Sequence, residues 1–178
     1  MTRNALLGVF LAALVVFVWS FISHTLIPWW GDVHHEFTDE TAVAATLTEN
    51  ADGDGIYILP NYEPEDEAGK ARMAAGPVAF IAFTAGGMDP MSVQPLILQF
   101  VFNLLIALLM SRLMFCVGET SFTVRLRMVV VIAVIAGLMT HLPYWAWYGF
   151  SGGLTALFML DLVVGWFLGG LVLARFAR

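Results

Sequence analysis

Four uninterrupted apolar runs, at about residues 5–27, 93–116, 128–148 and 153–174, dominate the hydropathy pattern of this chain. Each is long enough to cross the hydrocarbon of a bilayer, which takes about 20 helical residues. Within the runs only Arg112 and Asp161 carry a formal charge, and Arg112 lies one turn from a helix end, where a long cationic side chain reaches the headgroups. The pattern predicts four transmembrane helices. The first run follows Arg3, as the apolar stretch of a secretory leader would, but it continues past Trp19 to Ile27 with no small-x-small cleavage site. A retained helix is therefore expected.

The pattern changes between residues 28 and 92. Thr38 is placed to cap a helix over 39–50, with acids in its first turn, Val43, Ala44 and Leu47 on its apolar side and Gly53 just beyond its end. GIYIL at 55–59 reads as a strand bounded by Gly and Pro60. Pro64 suits the first position of another helix, with Glu65, Asp66 and Glu67 in the first turn and Lys70 and Arg72 in the last, before Gly76. VAFIAF at 78–83 reads as a second strand. The expected fold is all-α membrane: a four-transmembrane-helix bundle with a small α/β extracytoplasmic cap between helices one and two. The chain divides into 1–27, the 28–92 cap, and 93–178, which holds helices two to four. A 65-residue cap buries little by itself, so it is expected to rest on the membrane surface.

Charge gives the expected orientation. Only 12% of the 178 residues are charged, about half the roughly 25% of soluble domains, which argues against a soluble enzyme, a disordered chain or a nucleic-acid binder. Twelve of the 14 acidic residues fall in 28–92 against Lys70 and Arg72, a local charge of −10, while the remainder carries +4. Arg3 precedes the first run, Arg112, Arg125 and Arg127 surround the connection between the second and third, and Arg175 and Arg178 close the chain. The positive-inside bias then places both termini in the cytoplasm and 28–92 outside. An acidic exterior disfavours anionic lipid and nucleic acid; it is compatible with a cationic partner or a metal ion, and equally with a plain solvated face.

Candidate metal chemistry is sparse. Asn50, Asp52, Asp54 and Gly55 match the opening of a calcium loop, but its twelfth position is Asn61, which cannot supply the bidentate carboxylate. His34, His35 and Glu36 follow the first membrane exit, yet adjacent side chains do not share a helix face and no matching spacing lies nearby. Cys116 is the single cysteine, which excludes an intrachain disulfide and a zinc-type cysteine cluster; at the inner end of the second run it is either a palmitoylation site or an inert thiol.

A stripe of small and polar residues at i, i+4 spacing marks each run: Gly8, Ala12, Val16, Ser20 and His24; Gln99, Asn103, Ala107 and Ser111; Ala133, Gly137 and His141; and Asp161, Gly165 and Gly169, the last two a GxxxG pair. Such stripes are the surfaces by which helices associate in lipid. With alternating directions and a rise of about 1.5 Å per residue, His24, Gln99, His141 and Asp161 fall in one layer of the outer leaflet. An ionised carboxylate facing lipid is expensive, so Asp161 is expected to point inward, with His141 and His24 as its partners. Three readings of the cluster are open: ligation of a b-type haem or a metal by the two histidines, a quinone-headgroup or proton-relay site built on a His–Asp pair with Gln99, and a hydrogen-bonded network that fixes helix register. Trp29, Trp30, Tyr144, Trp145, Trp147 and Tyr148 form an interfacial aromatic belt, and Pro143 frees a backbone carbonyl near His141.

WSFISH (19–24), Pro28 with Trp29, GIYILPN (55–61), GPVAFIAF (76–83) and the following GGMDPMS (86–92) resemble a loose group of uncharacterised four-helix bacterial inner-membrane proteins. The likeness is strongest over the first helix and the cap and fades beyond them. It implies a bacterial inner membrane and no particular activity or ligand. Without a nucleophile–base pair, a phosphate-binding glycine loop or an HExxH motif, the chain reads as a non-catalytic integral membrane subunit or accessory protein, packing against other membrane subunits or itself. The alternative is a small haem-, metal- or quinone-binding redox protein using His24 and His141. A transporter ranks third, since four helices enclose a pathway only as an oligomer.

Overall fold

The structure is a computed structural model that describes residues 2–118 and 121–176; Glu119 and Arg178 of the charge pattern lie outside the described residues. In chain order the elements are α1 (Arg3–Thr25), a 3-10 turn (Pro28–Trp30), α2 (Glu40–Asn50), β1 (Gly55–Leu59), α3 (Glu67–Ala75), β2 (Ala79–Phe83), α4 (Gln94–Val117), α5 (Phe122–Tyr148) and α6 (Gly152–Phe176). Among the described residues four helices, α1, α4, α5 and α6, are long and apolar enough to cross a membrane. Their 23 to 27 residues span about 35–40 Å. The protein is an integral membrane protein built on a bundle of four long apolar helices.

The distribution of apolar side chains is that of a protein surrounded by hydrocarbon. Phe21, Ile97, Leu105, Leu109, Val131 and Met139 are all more than half exposed; in water so much contiguous apolar surface would drive aggregation. The interior is made instead of small residues: Ala12, Ala13, Ala107, Ala133 and Ala174 are essentially sealed. They let the backbones approach closely, which is how helices hold together where lipid competes for every apolar contact.

The helices form a row. α4 packs chiefly on α1, α1 on α6 and α6 on α5. The GxxxG pair of α6 explains the central contact: a Cβ on Gly169 would come within 2.7 Å of Val16 Cγ2, and one on Gly165 within 2.9 Å of Trp19 Cδ1. Neither position has room for a larger residue. Gly170 turns to the other neighbour, where a Cβ would meet Val129 Cγ1 at 3.0 Å. The α5 helix starts at Phe122, several residues before its expected start at 128, because Ser121 caps it by accepting from the Val124 amide at 3.3 Å. Arg125 thus becomes a buried residue of the first turn. The helix continues through Pro143 and stops at Gly149, whose φ of 73° suits a residue without Cβ.

The 28–92 segment contains two short helices and one antiparallel strand pair, a long hairpin with α3 in its connection, with Gly55 opposite Phe83 and Leu59 opposite Ala79. Asp39, rather than Thr38, caps α2, its carboxylate accepting from the Ala42 amide at 2.9 Å. The third helix begins at Glu67, after Asp66, while Pro64 and Glu65 form the preceding turn. Phe80 of β2 anchors the hairpin on the end of α5, its ring centroid 5.8 Å from Tyr144 and 4.8 Å from Tyr148. Those two tyrosines of the aromatic belt thereby serve as the seat of the hairpin.

Candidate functional site

A groove of about 590 Å³ opens at the half of the row nearest residues 28–92. Its floor comes from α1 and α6, one wall from α4, and its far edge from His141 of α5. All four candidate residues, His24, Gln99, His141 and Asp161, line it, together with Ser20 and Asn103. Phe17, Phe21, Leu96, Ile106, Phe158 and Trp166 are among its apolar lining. Along α4 the lining runs from Pro95 to Ile106, about 16 Å at helical rise, or roughly half the thickness of a bilayer core.

Each polar group is held by the element that carries it. Asp161 is half-buried, and its partner is Trp19: the indole Nε1 donates to Oδ1 at 2.8 Å and approaches the Asp161 carbonyl at 3.2 Å. Neither histidine hydrogen-bonds this carboxylate, contrary to the expectation from sequence. The reason is geometric. Gly165 lies one turn after Asp161 and lets the Trp19 ring approach α6 closely, so the carboxylate's donor is an indole from the adjoining helix. His24 turns the other way, with Nδ1 2.9 Å from the Ser20 carbonyl and its ring stacked on Trp30 at 4.4 Å. His141 stacks on Phe158 at 5.0 Å. Because Trp30 also touches Phe158 at 5.5 Å, both histidine rings belong to one aromatic set at the mouth of the groove.

On α4, Gln99 is exposed in the groove and donates from Nε2 to Asn103 Oδ1 at 3.1 Å. Asn103 is only 2% exposed, and its Nδ2 has no hydrogen-bond partner. A buried amide left in this state costs about 1–3 kcal/mol, and hydrocarbon cannot relieve it. Ser111, further along the same face, has an unpartnered hydroxyl as well.

The weaker candidates are arranged otherwise. Asn50 ends α2 and donates to the Thr46 carbonyl at 2.8 Å, while Asp54 Oδ1 accepts from the Ala85 amide at 2.8 Å and closes the open end of the hairpin. One polar atom of each is engaged, at a helix end and beside a strand pair, and Asp52 lies in the irregular stretch between them. His34 lies 6.1 Å from Trp30, on a stack that does not include His35. Among the described residues no three His, Cys, Asp or Glu side chains come together as a metal-binding group. Cys116 is exposed in the last turns of α4.

Trp19 and Asn103 were not among the candidate site residues. A Trp well inside a span, away from the interfacial belt, is the available signal for Trp19. For Asn103 the signal is its i+4 spacing from Gln99, already visible in the stripe.

No protein-family model matches the chain, and neither the curated proteins nor the solved structures give a significant match.

Proposed function

We propose that this protein is a non-catalytic integral membrane subunit or accessory protein that packs against other membrane proteins or a second copy of itself. The observation that carries this reading is the open row of helices. α4 and α5 stand at the two ends and each packs mainly on a single neighbour, which leaves both flanks free for further helices. The basic residues Arg3, Arg112, Arg125, Arg127 and Arg175 lie at the helix ends opposite residues 28–92, which supports cytoplasmic termini and an extracytoplasmic cap. The resemblance of the first helix and cap supports a bacterial inner membrane. Extraction of native membranes in mild detergent tests the subunit reading: the chain is expected to copurify with a partner, or with itself, in fixed stoichiometry, and a chain that always migrates as a monomer refutes it.

The groove favours a second reading, a small cofactor-binding redox protein, because it brings His24 and His141 to one cavity. An absorption spectrum and metal analysis of native material decide it. A Soret band or stoichiometric metal supports a histidine-ligated centre, and the absence of both eliminates that centre.

A further inference from the structure

We propose that the groove is a binding site for one uncharged, lipid-soluble amphiphile whose headgroup presents a carbonyl oxygen to the Gln99–Asn103 amide pair and whose apolar tail extends into the surrounding hydrocarbon. The inference rests on the groove and not on the subunit reading, and it requires no redox step.

Size comes first. Small-molecule sites occupy about 300–1,000 Å³, and this groove has about 590 Å³. Position comes next. The lining begins at the second residue of α4 and ends near mid-helix, and in the proposed orientation it matches the depth of the outer leaflet. Phe21 is 57% exposed and Leu96 54% exposed, so the groove opens to the lipid through apolar residues and an occupant enters laterally.

The polar groups select the headgroup. Asn103 Nδ2 is a donor without an acceptor, and its Oδ1 is already taken by Gln99. Because Nδ2 itself is sealed, the N–H that meets an occupant's acceptor oxygen is the second one of the exposed Gln99 Nε2, which Asn103 Oδ1 holds in place. Asp161, the one acidic residue of the lining, disfavours a phosphate or carboxylate headgroup nearby, and no lysine or arginine lines the groove to offset such a charge. A neutral carbonyl meets both conditions. Its two lipid-phase sources are the ring carbonyl of a prenyl quinone and the ester carbonyl of a neutral glyceride. The flat faces of Phe17, Phe158 and Trp166 accept a ring or a chain.

The test is thermal unfolding of the full chain in dodecylmaltoside, followed by circular dichroism with increasing decylubiquinone, monoolein or hexadecane. A ligand that binds only the folded state raises the transition temperature with concentration. At least one carbonyl amphiphile is expected to do so saturably, and hexadecane is not. Decylubiquinone acting alone assigns the ring carbonyl, monoolein alone assigns the ester, and both acting assign the carbonyl group in general. Asn103→Leu removes the orphaned donor. Without amphiphile this variant is expected to unfold at or above the wild-type temperature, and it is expected to need about tenfold more amphiphile for an equal shift. A purely structural asparagine gives the opposite first result. Ile106→Trp, at a partly exposed lining position, fills the groove and is expected to abolish the response. The proposal is overturned if neither carbonyl amphiphile shifts the transition, if hexadecane shifts it equally, or if either variant responds at the wild-type concentration. Failure of the subunit reading appears separately, as a solitary chain on native extraction.

Discussion

Replacing Trp19 by Phe removes the indole N–H that reaches Asp161 Oδ1 at 2.8 Å while keeping a ring against Gly165. Hydrogen bonds to charged groups contribute about 1.5–3 kcal/mol in soluble proteins, whereas side-chain bonds measured between membrane helices average about 0.6 and reach about 1.7 kcal/mol. Because Asp161 is half-buried and its carbonyl shares the same donor, a coupling of about 1–1.5 kcal/mol is expected. A double-mutant cycle of Trp19→Phe with Asp161→Leu isolates that value from the area lost by shrinking the ring. The assay is unfolding in mixed dodecylmaltoside and dodecyl sulfate micelles, followed by circular dichroism. Asp161→Asn, which keeps an acceptor oxygen, should retain most of the stability that Asp161→Leu loses. A coupling below about 0.3 kcal/mol, or an Asn variant no better than the Leu variant, refutes the pairing of Trp19 with Asp161 as a link between α1 and α6.

Three further outcomes follow from the packing and the electrostatics. Gly169→Ala places a Cβ 2.7 Å from Val16 Cγ2 and should cost about 1–3 kcal/mol in the same unfolding assay; Gly137→Ala, whose Cβ meets Met159 and Leu162 at 3.5 Å, should change stability by less than about 0.5 kcal/mol. Gly69→Ala drives a Cβ into Tyr62 and to 2.6 Å from Asp66 Oδ2, so α3 should become the first site cut in limited proteolysis while the four long helices stay intact. The backbone N–H of Gly69 at the start of α3, aided by Arg72 at 3.2 Å and opposed by partial desolvation, holds the Asp66 carboxyl below its ordinary value of 3.8. A depressed folded-state value stabilises above the unfolded one and is lost as pH falls through the folded one. Protection of the α3 amides, taken relative to their intrinsic exchange at each pH, should therefore fall only below about pH 3.8, and Asp66→Asn should remove that step.

The parts of this fold legible in the sequence are those written in local pattern. Apolar runs of 21–24 residues, bounded by arginines and an aromatic belt, give four helices because length and hydropathy alone decide a span. The first strand was legible because GIYIL lies between Gly and Pro, and the strand of the structure has the same bounds, Gly55–Leu59; its pairing with β2 was not, since the two lie on either side of α3. The start of α5 was not, since residues 122–127 are too polar to extend an apolar run and only the Ser121 cap reveals them. Helical spacing and alternating direction place His24, Gln99, His141 and Asp161 at one depth, and one groove contains all four. Which side chain partners Asp161 depends on helix order and rotation, and those follow from long-range contacts such as Gly165 against Trp19. A single sequence carries no record of that pairing. Thr38 and Asp39 show the same limit at short range, as both suit a cap and only the turn geometry selects the aspartate.

The account rests on α4 crossing a membrane with Asn103 and Ala107 turned inward and Ile97, Val101, Leu105 and Leu109 turned to lipid, the former 2% and 0% exposed, the latter 59%, 48%, 52% and 59% exposed. Nitroxide labels placed singly at positions 97–109 of a Cys116→Ser chain in lipid nanodiscs measure this directly. Collision with oxygen should rise and fall with a period near 3.6 residues, with maxima at the four lipid-facing positions and minima at 103 and 107. Flat oxygen profiles, or strong collision with a water-soluble nickel complex throughout 97–109, would contradict the membrane-spanning row of helices.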